Sequence, residues 1–211
     1  LTDTLFELGA KKIVFDVIFA EPSNSESDQA FAESIQNSGN VVLASDLSEV
    51  EKDFISGVIE TRPLLLFEEA GAEVGLAGVN RDADMVVRYA PEFKNTLSSV
   101  AFGKEIEFEP KSKIIRYIGP DHSFSFLSYF QLFIENGIPE GFLEDKVVFI
   151  GLDLKASPDI QKSTPDTFPT PFTRFNSRVS PGVELHATLY HNLVNDDFVD
   201  MLSDENHALR G

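Results

Sequence analysis

Residues 11–45 read "KKIVFDVIFAEPSNSESDQAFAESIQNSGNVVLAS", and this stretch decides the fold. Its first ten residues carry a continuous apolar run, Ile13, Val14, Phe15, Val17 and Ile18, as a strand covered on both faces requires. A polar loop rich in Ser follows. Residues 28–40 predict a helix with Phe31 and Ile35 on one face and Gly39 as its stop. "VVLAS", residues 41–45, is a second strand of the buried type. Strand, helix and strand in this order make a βαβ unit, and so a parallel sheet.

Outward from this unit the pattern continues. "LTDTLFELGA", residues 1–10, predicts a short helix with Leu5 and Leu8 on one face and Gly9 at its end. Residues 46–70 are acidic and then apolar and assign no element. Residues 72–93 predict two short strands joined by the turn-rich Asn80–Asp84 connector. Helices are expected at 97–106 and 125–137, the second with Leu127, Phe130, Phe133 and Ile134 on one face. Strands are expected at 113–119 and around "KVVFIGLD", the cleanest buried strand in the chain. Residues 152–180 form a long irregular stretch holding Pro158, Pro165, Pro169 and Pro171; loops of that length are functional or poorly ordered. The closing helix then begins at Ser180 and Pro181, a good N-cap and a favoured first helical residue. The expectation is a single α/β domain over 1–211, with a largely parallel or mixed sheet and helices on both faces.

Composition narrows the function. The chain has 211 residues and a formal net charge of -18, which argues against nucleic acid, whose phosphates need clustered Lys and Arg. The same charge argues against an electrostatic grip on an anionic membrane surface. There is no Cys, so disulfides, thiolate metal sites and a Cys nucleophile are excluded. No apolar run approaches the roughly 20 residues needed to cross a bilayer. The chain opens without Met, already within a helix-to-strand unit, and reads as a piece excised from a larger protein.

Candidate site residues fall where an open α/β sheet binds ligands, beyond the carboxyl ends of its strands. Asp16 and Glu21 follow the first strand. Asn80, Arg81, Asp82 and Asp84 lie on the middle connector and Arg88 just beyond it. Asp153, Asp159, Thr164 and Asp166 lie after the "VVFIG" strand. Asp16 sits inside an apolar pattern, where a carboxylate needs a partner or a shifted pKa; it reads as a ligand contact or a structural pair. Arg88 could clamp an anion, but an ion pair with Asp16 or another acid is the preferred reading. Asp153, Asp159 and Asp166 could hold a divalent cation, although they match no fixed metal motif; otherwise no cofactor is expected.

His186 stands on the closing helix with Val183, Ala187, Tyr190 and Val194 on or near its face. Glu184 lies roughly opposite, and His191 is five residues on, so neither shares a metal with it. His186 is therefore expected to serve as wall and anchor. Catalysis would need a nucleophile and an orienting acid, for which Ser157, Ser163 and Thr164 are candidates only by proximity. The chain has no P-loop, GxGxxG, GxSxG or HExxH motif.

"LGAKKIVFDVIF", "GLAGVNRDADMVVRYAP", "SFLSYFQLF", "KVVFIGLD", "STPDTF" and "SPGVELHATLYHNLV" together resemble, in order and spacing, the CHASE2 domains, extracytoplasmic sensory domains of bacterial receptors. The resemblance covers nearly the whole chain. It implies a non-enzymatic input domain, flanked by membrane helices in the intact protein and joined to a cytoplasmic histidine kinase, nucleotide cyclase or Ser/Thr kinase. It also implies an unidentified small-molecule or periplasmic stimulus. A homodimer is expected because such outputs act in pairs. The family-like polar positions are Asp16, Arg88, Asp159, Thr164, Glu184 and His186, with Pro165. Stretch 161–179 is longer and richer in Phe and Pro than the family loop. Two rival readings stand beside this one: a metal-assisted hydrolase built on Asp16, Asp153 and Asp159, and a protein-interaction or dimerisation domain whose polar cluster only pins loops.

Overall fold

The computed structural model describes residues 1–52, 55–153 and 166–200, the side chains of 51–56 excepted. In chain order the elements are α1 (Thr2–Glu7), β1 (Lys12–Phe15), α2 (Ser25–Ser38), β2 (Val41–Lys52), β3 (Ile55–Thr61), α3 (Leu65–Glu69), β4 (Glu73–Leu76), α4 (Leu97–Phe102), β5 (Lys113–Ile114), β6 (Val147–Ile150), β7 (Thr167–Phe168), α5 (Thr173–Asn176), β8 (Ser180–Pro181), α6 (Gly182–Asn195) and β9 (Val199–Asp200). The architecture is the expected α/β one, with a mixed sheet and helices on both faces.

The βαβ unit forms as its sequence dictates. Ile13 pairs with Val41 and Phe15 with Leu43, in parallel. Asn24 caps α2, accepting a hydrogen bond from the Glu26 N–H at 2.9 Å, and Gly39 ends it with φ 69°. The helix thus starts at Ser25, one turn before the expected point, because Asn24 supplies a cap.

The parallel strands run in the order β4, β2, β1, β6. The chain moves outward from β1 through β2 to β4, then returns to place β6 on the other side of β1. The reversal lies between β1 and β6, which in open α/β sheets marks the ligand crevice.

Side chains alternate across this sheet. Ile13, Phe15, Val41 and Leu43 face one core with Leu5 of α1, Ile35 of α2 and Phe67 of α3. Val14, Val42 and Ala44 face the other, with Leu97 and Ala101 of α4, Phe149 of β6 and Tyr190 of α6. In the first core Phe15, Phe19, Phe31 and Phe67 pack edge to face or tilted, with centroids 5.0 to 6.1 Å apart. A third cluster, Val87, Ala90, Ile115, Leu185 and Leu189, lies on another side of α6. So α6 is buried through Leu185, His186, Leu189 and Asn192, a wider face than the sequence suggests, while Val194 is exposed.

Several expectations change. The first strand stops at Phe15, and Val17 and Ile18 are exposed beyond it. Leu8 falls past the end of α1 and is exposed. Residues 46–70, unassigned from sequence, contain the outer half of β2, then β3 and α3. Of the two strands expected in 72–93 only β4 forms; the second is reduced to a bridge between Tyr89 and Ile114. The strand expected at 113–119 is only the two residues of β5. The helix expected at 97–106 ends at Phe102, because Gly103 turns left-handed.

The helix expected at 125–137 is a single 3-10 turn, Tyr129–Phe133, with a capping box between Ser128 and Gln131. Its rings have no core to enter: Phe126, Phe130 and Phe133 are exposed. A helix this short depends on burying its apolar face, and here that burial is missing. Finally, Ser180 does not cap α6. It pairs with Phe168 in a small ladder, and Pro181 occupies the cap position.

Candidate functional site

β1 and β6 end side by side. Phe15 pairs with Ile150, and the Asp16 N–H donates to the Ile150 carbonyl at 2.8 Å. Gly151 follows, and α6 crosses directly above it. A Cβ on Gly151 would stand 2.6 Å from Cβ of Val183 and 3.2 Å from Cβ of Asp16. Only a glycine lets the helix lie this close to the strand ends.

One turn into α6, His186 meets Asp16. Its Nε2 is 3.6 Å from Asp16 Oδ1, and the two side chains are 3% and 8% exposed. That distance is a contact rather than a hydrogen bond. Burial holds the His186 imidazole down at about 4, against the opposing pull of the Asp166 carboxylate. The ring is therefore neutral at pH 7. Burial pushes Asp16 up to about 6. Asp166 also rises to about 6, through burial first and the charge of Asp16 second, with His186 acting the other way.

Asp166 reaches this cluster through the start of α6. Its carbonyl accepts from the Gly182 N–H at 3.0 Å, and its carboxylate occupies the space a Gly182 side chain would need. Around the cluster, Asp16 Oδ2, His186 Nδ1 and Ser45 Oγ are buried without a hydrogen-bond partner among the described residues. Orphaned buried groups of this kind are uncommon and mark strain or a site.

Asp16 and Asp166 both line a cavity of about 680 Å³, open to solvent at the carboxyl ends of the parallel strands. Val17 and Ile18 after β1, Asp46 and Leu47 of β2, residues Leu76–Val79 at the end of β4, and Leu152 after β6 form its walls. Arg81, Phe93 and Phe168 complete it. The volume lies within the usual range for small-ligand pockets. A second depression, between Pro120 and Glu184, encloses no volume.

With this geometry in place, the family model for the CHASE2 domain matches residues 1–210. The chain belongs to the CHASE2 family. CHASE2 domains are extracytoplasmic sensory domains, and the family is not a catalytic one. No curated protein and no solved structure matches the chain.

The CHASE2 domain brings together some of the residues expected from sequence and separates others. Asp16 and His186 meet. Asp166, expected only as a loop acid, joins them. Glu21 is exposed and does not line the cavity. Asn80 sits between two lining residues, Val79 and Arg81, without lining it. Arg88 turns to its own connector: it binds Asp84 through two hydrogen bonds of 2.7 Å and Asp82 through one of 2.8 Å. The ion-pair reading of Arg88 is thus the one realised, with Asp82 and Asp84 rather than Asp16 as partners. Asp153 bonds to His122 Nε2 at 2.9 Å instead of facing Asp16. Asp159, Thr164, Pro165, Ser157 and Ser163 lie outside the described residues. Among the described residues no group of three His, Asp or Glu could hold a metal ion.

Glu184 has a separate task. Its carboxylate accepts from the His122 N–H at 2.9 Å and the Ser123 N–H at 2.7 Å, fastening that loop to the outer side of α6. Arg81, expected on the middle connector, does line the cavity. Asp46 and Phe168 were not singled out from sequence; the signal is positional, since Asp46 directly follows the buried Val41–Ser45 run, where ligand loops lie.

Proposed function

We propose that this CHASE2 domain is the input module of a bacterial transmembrane receptor, taking a small-molecule stimulus into the cavity at its strand ends. The reading is carried by Asp16, a buried carboxylate with one unpartnered oxygen that both lines the cavity and contacts His186 of α6. A ligand that completes the bonding of Asp16 acts on a group in direct contact with α6. Such a ligand shifts the domain between two arrangements only by its differential affinity for them. In the intact receptor, membrane helices flanking the domain carry that shift inward to a histidine kinase, a nucleotide cyclase or a Ser/Thr kinase. The domain works as a homodimer outside the cytoplasmic membrane and is not itself an enzyme.

A thermal-shift screen of the chain against metabolites, sugars, peptides and divalent cations tests this. A ligand-dependent rise in Tm without turnover is expected, lost in a folded Asp16→Asn variant. A rise that Asp16→Asn leaves untouched places the stimulus elsewhere. Turnover dependent on Asp16 turns the reading toward a hydrolase.

A further inference from the structure

The cavity holds charges of both signs that do not neutralise one another. Among the described residues, Asp16, Asp46 and Asp166 pair with no Lys or Arg, and Arg81 pairs with no carboxylate. The Arg81 guanidinium lies instead 4.6 Å over the ring of Phe168, held in the cavity wall by a cation–π contact. This contrasts with Arg62 and Arg88, each bound to two acids. In a chain with 35 acidic and 17 basic residues, an arginine lining the same cavity as three acids yet paired with none of them is a separate positive position.

Asp16 supplies the independent sign that this is a site. Its side chain is more than nine-tenths buried, and its Oδ2 has no partner. A buried charge in that condition is costly unless something completes it. The remaining wall is apolar, with Val17, Ile18 and Leu152 among the exposed large hydrophobics of the fold. A bare divalent cation fits poorly, since the described acids and histidines offer no set of three ligands.

We infer that the cavity takes a zwitterion with an apolar body, an apolar α-amino acid or a short peptide of such residues. Its ammonium turns to Asp16 and Asp166, its carboxylate to Arg81, and its side chain to Val17, Ile18 and Leu152. The inference rests on the ligand-binding reading above and gives that reading its chemical class.

Isothermal titration of the chain at pH 7.5 tests it with the apolar amino acids and their dipeptides. Matched compounds lacking one charge complete the set: 3-methylbutylamine and 4-methylpentanoate for leucine, phenethylamine and 3-phenylpropanoate for phenylalanine. The zwitterions should bind at least about tenfold more tightly than either analogue, the weight of one charge-assisted contact. Arg81→Gln, at an exposed position, should abolish the preference over the amine, and Asp166→Asn the preference over the carboxylate. Whichever of amino acid and dipeptide binds more tightly identifies the source. Equal binding of the amine, or indifference to Arg81→Gln, overturns the zwitterion class. So does binding of none of these compounds. In those cases the thermal-shift screen decides separately: an uncharged ligand lost in Asp16→Asn leaves the sensory cavity standing, and no ligand at all removes both.

Discussion

Asn192 of α6 and the backbone of Arg116 form a closed pair of hydrogen bonds. The Arg116 N–H donates to Asn192 Oδ1, and Asn192 Nδ2 donates to the Arg116 carbonyl, each at 2.9 Å. Asn192 is fully buried. The side chain thus serves the segment after β5 as a neighbouring strand would. In Asn192→Ala both backbone groups lose their partner, and the expected cost is about 2–4 kcal/mol. Urea denaturation should show a lower midpoint with an unchanged slope.

Asp16 makes the fold less stable at neutral pH than it would otherwise be. Its pKa is 3.8 unfolded and about 6 folded. The stability that comes from its proton is full below about pH 4 and lost as pH rises through about 6. His186 works in reverse: with 6.5 unfolded and about 4 folded, its contribution is full above 6.5 and lost as pH falls through about 4. The two slopes oppose each other between those limits. Asp16→Asn should therefore raise stability at pH 7.5 by about 1–2 kcal/mol. It should also expose the His186 slope, as a steeper fall in Tm between pH 6.5 and 4. A variant that is no more stable at pH 7.5 would contradict this account of Asp16.

Gly151→Ala should cost about 1–3 kcal/mol, the usual range for overpacking, because its methyl would overlap Val183. Val183→Gly removes both atoms in the way, Cβ at 2.6 Å and Cγ2 at 2.9 Å. The double variant should recover part of the loss, a coupling that chemical denaturation of the four proteins measures. Purely additive effects would mean that α6 does not rest on Gly151.

Glu184→Ala should free the His122–Ser123 amides while leaving the sheet intact. Hydrogen exchange at these two positions should quicken, with no change along β1 and β6. The same loop carries a second observable. Asp153 first, and then Asp121, raise the His122 pKa above its ordinary 6.5 against the effect of burial. The imidazole titration followed by NMR should move down in Asp153→Asn.

The βαβ unit was legible because each residue of Val41–Leu43 and Ile13–Phe15 is buried, so hydrophobicity alone marked both strands. Asp16 and His186 were legible as site candidates for a related reason: a charged or titratable group in an apolar pattern stands out. Their meeting was not legible. It depends on Gly151 and on the return of β6 beside β1, a pairing across more than a hundred residues that no local pattern encodes. The outer half of β2 was missed because its alternation carries acids such as Asp46 and Glu49, which suit a solvated ribbon as well as a loop. The 125–137 segment failed in the opposite direction, since its ring spacing suits a helix while the fold gives those rings nothing to pack on. Arg81 was legible as a polar residue of the connector, but its place in the cavity wall over Phe168 was not, since that contact joins segments far apart in the chain.

β2 outruns the sheet it belongs to. Its first residues pair with β1 and β4, but from Asp46 onward its described partner is β3 alone, in antiparallel register. The result is a two-stranded ribbon with Val58 and Ile59 exposed on β3. Unpaired ribbon edges with apolar side chains invite pairing with another copy. A net charge of -18 on each molecule opposes that approach by mutual repulsion, and added salt shortens the reach of that repulsion to about a Debye length. The acidity of this chain thus acts as a colloidal guard for an otherwise adhesive ribbon, and self-association should grow with ionic strength.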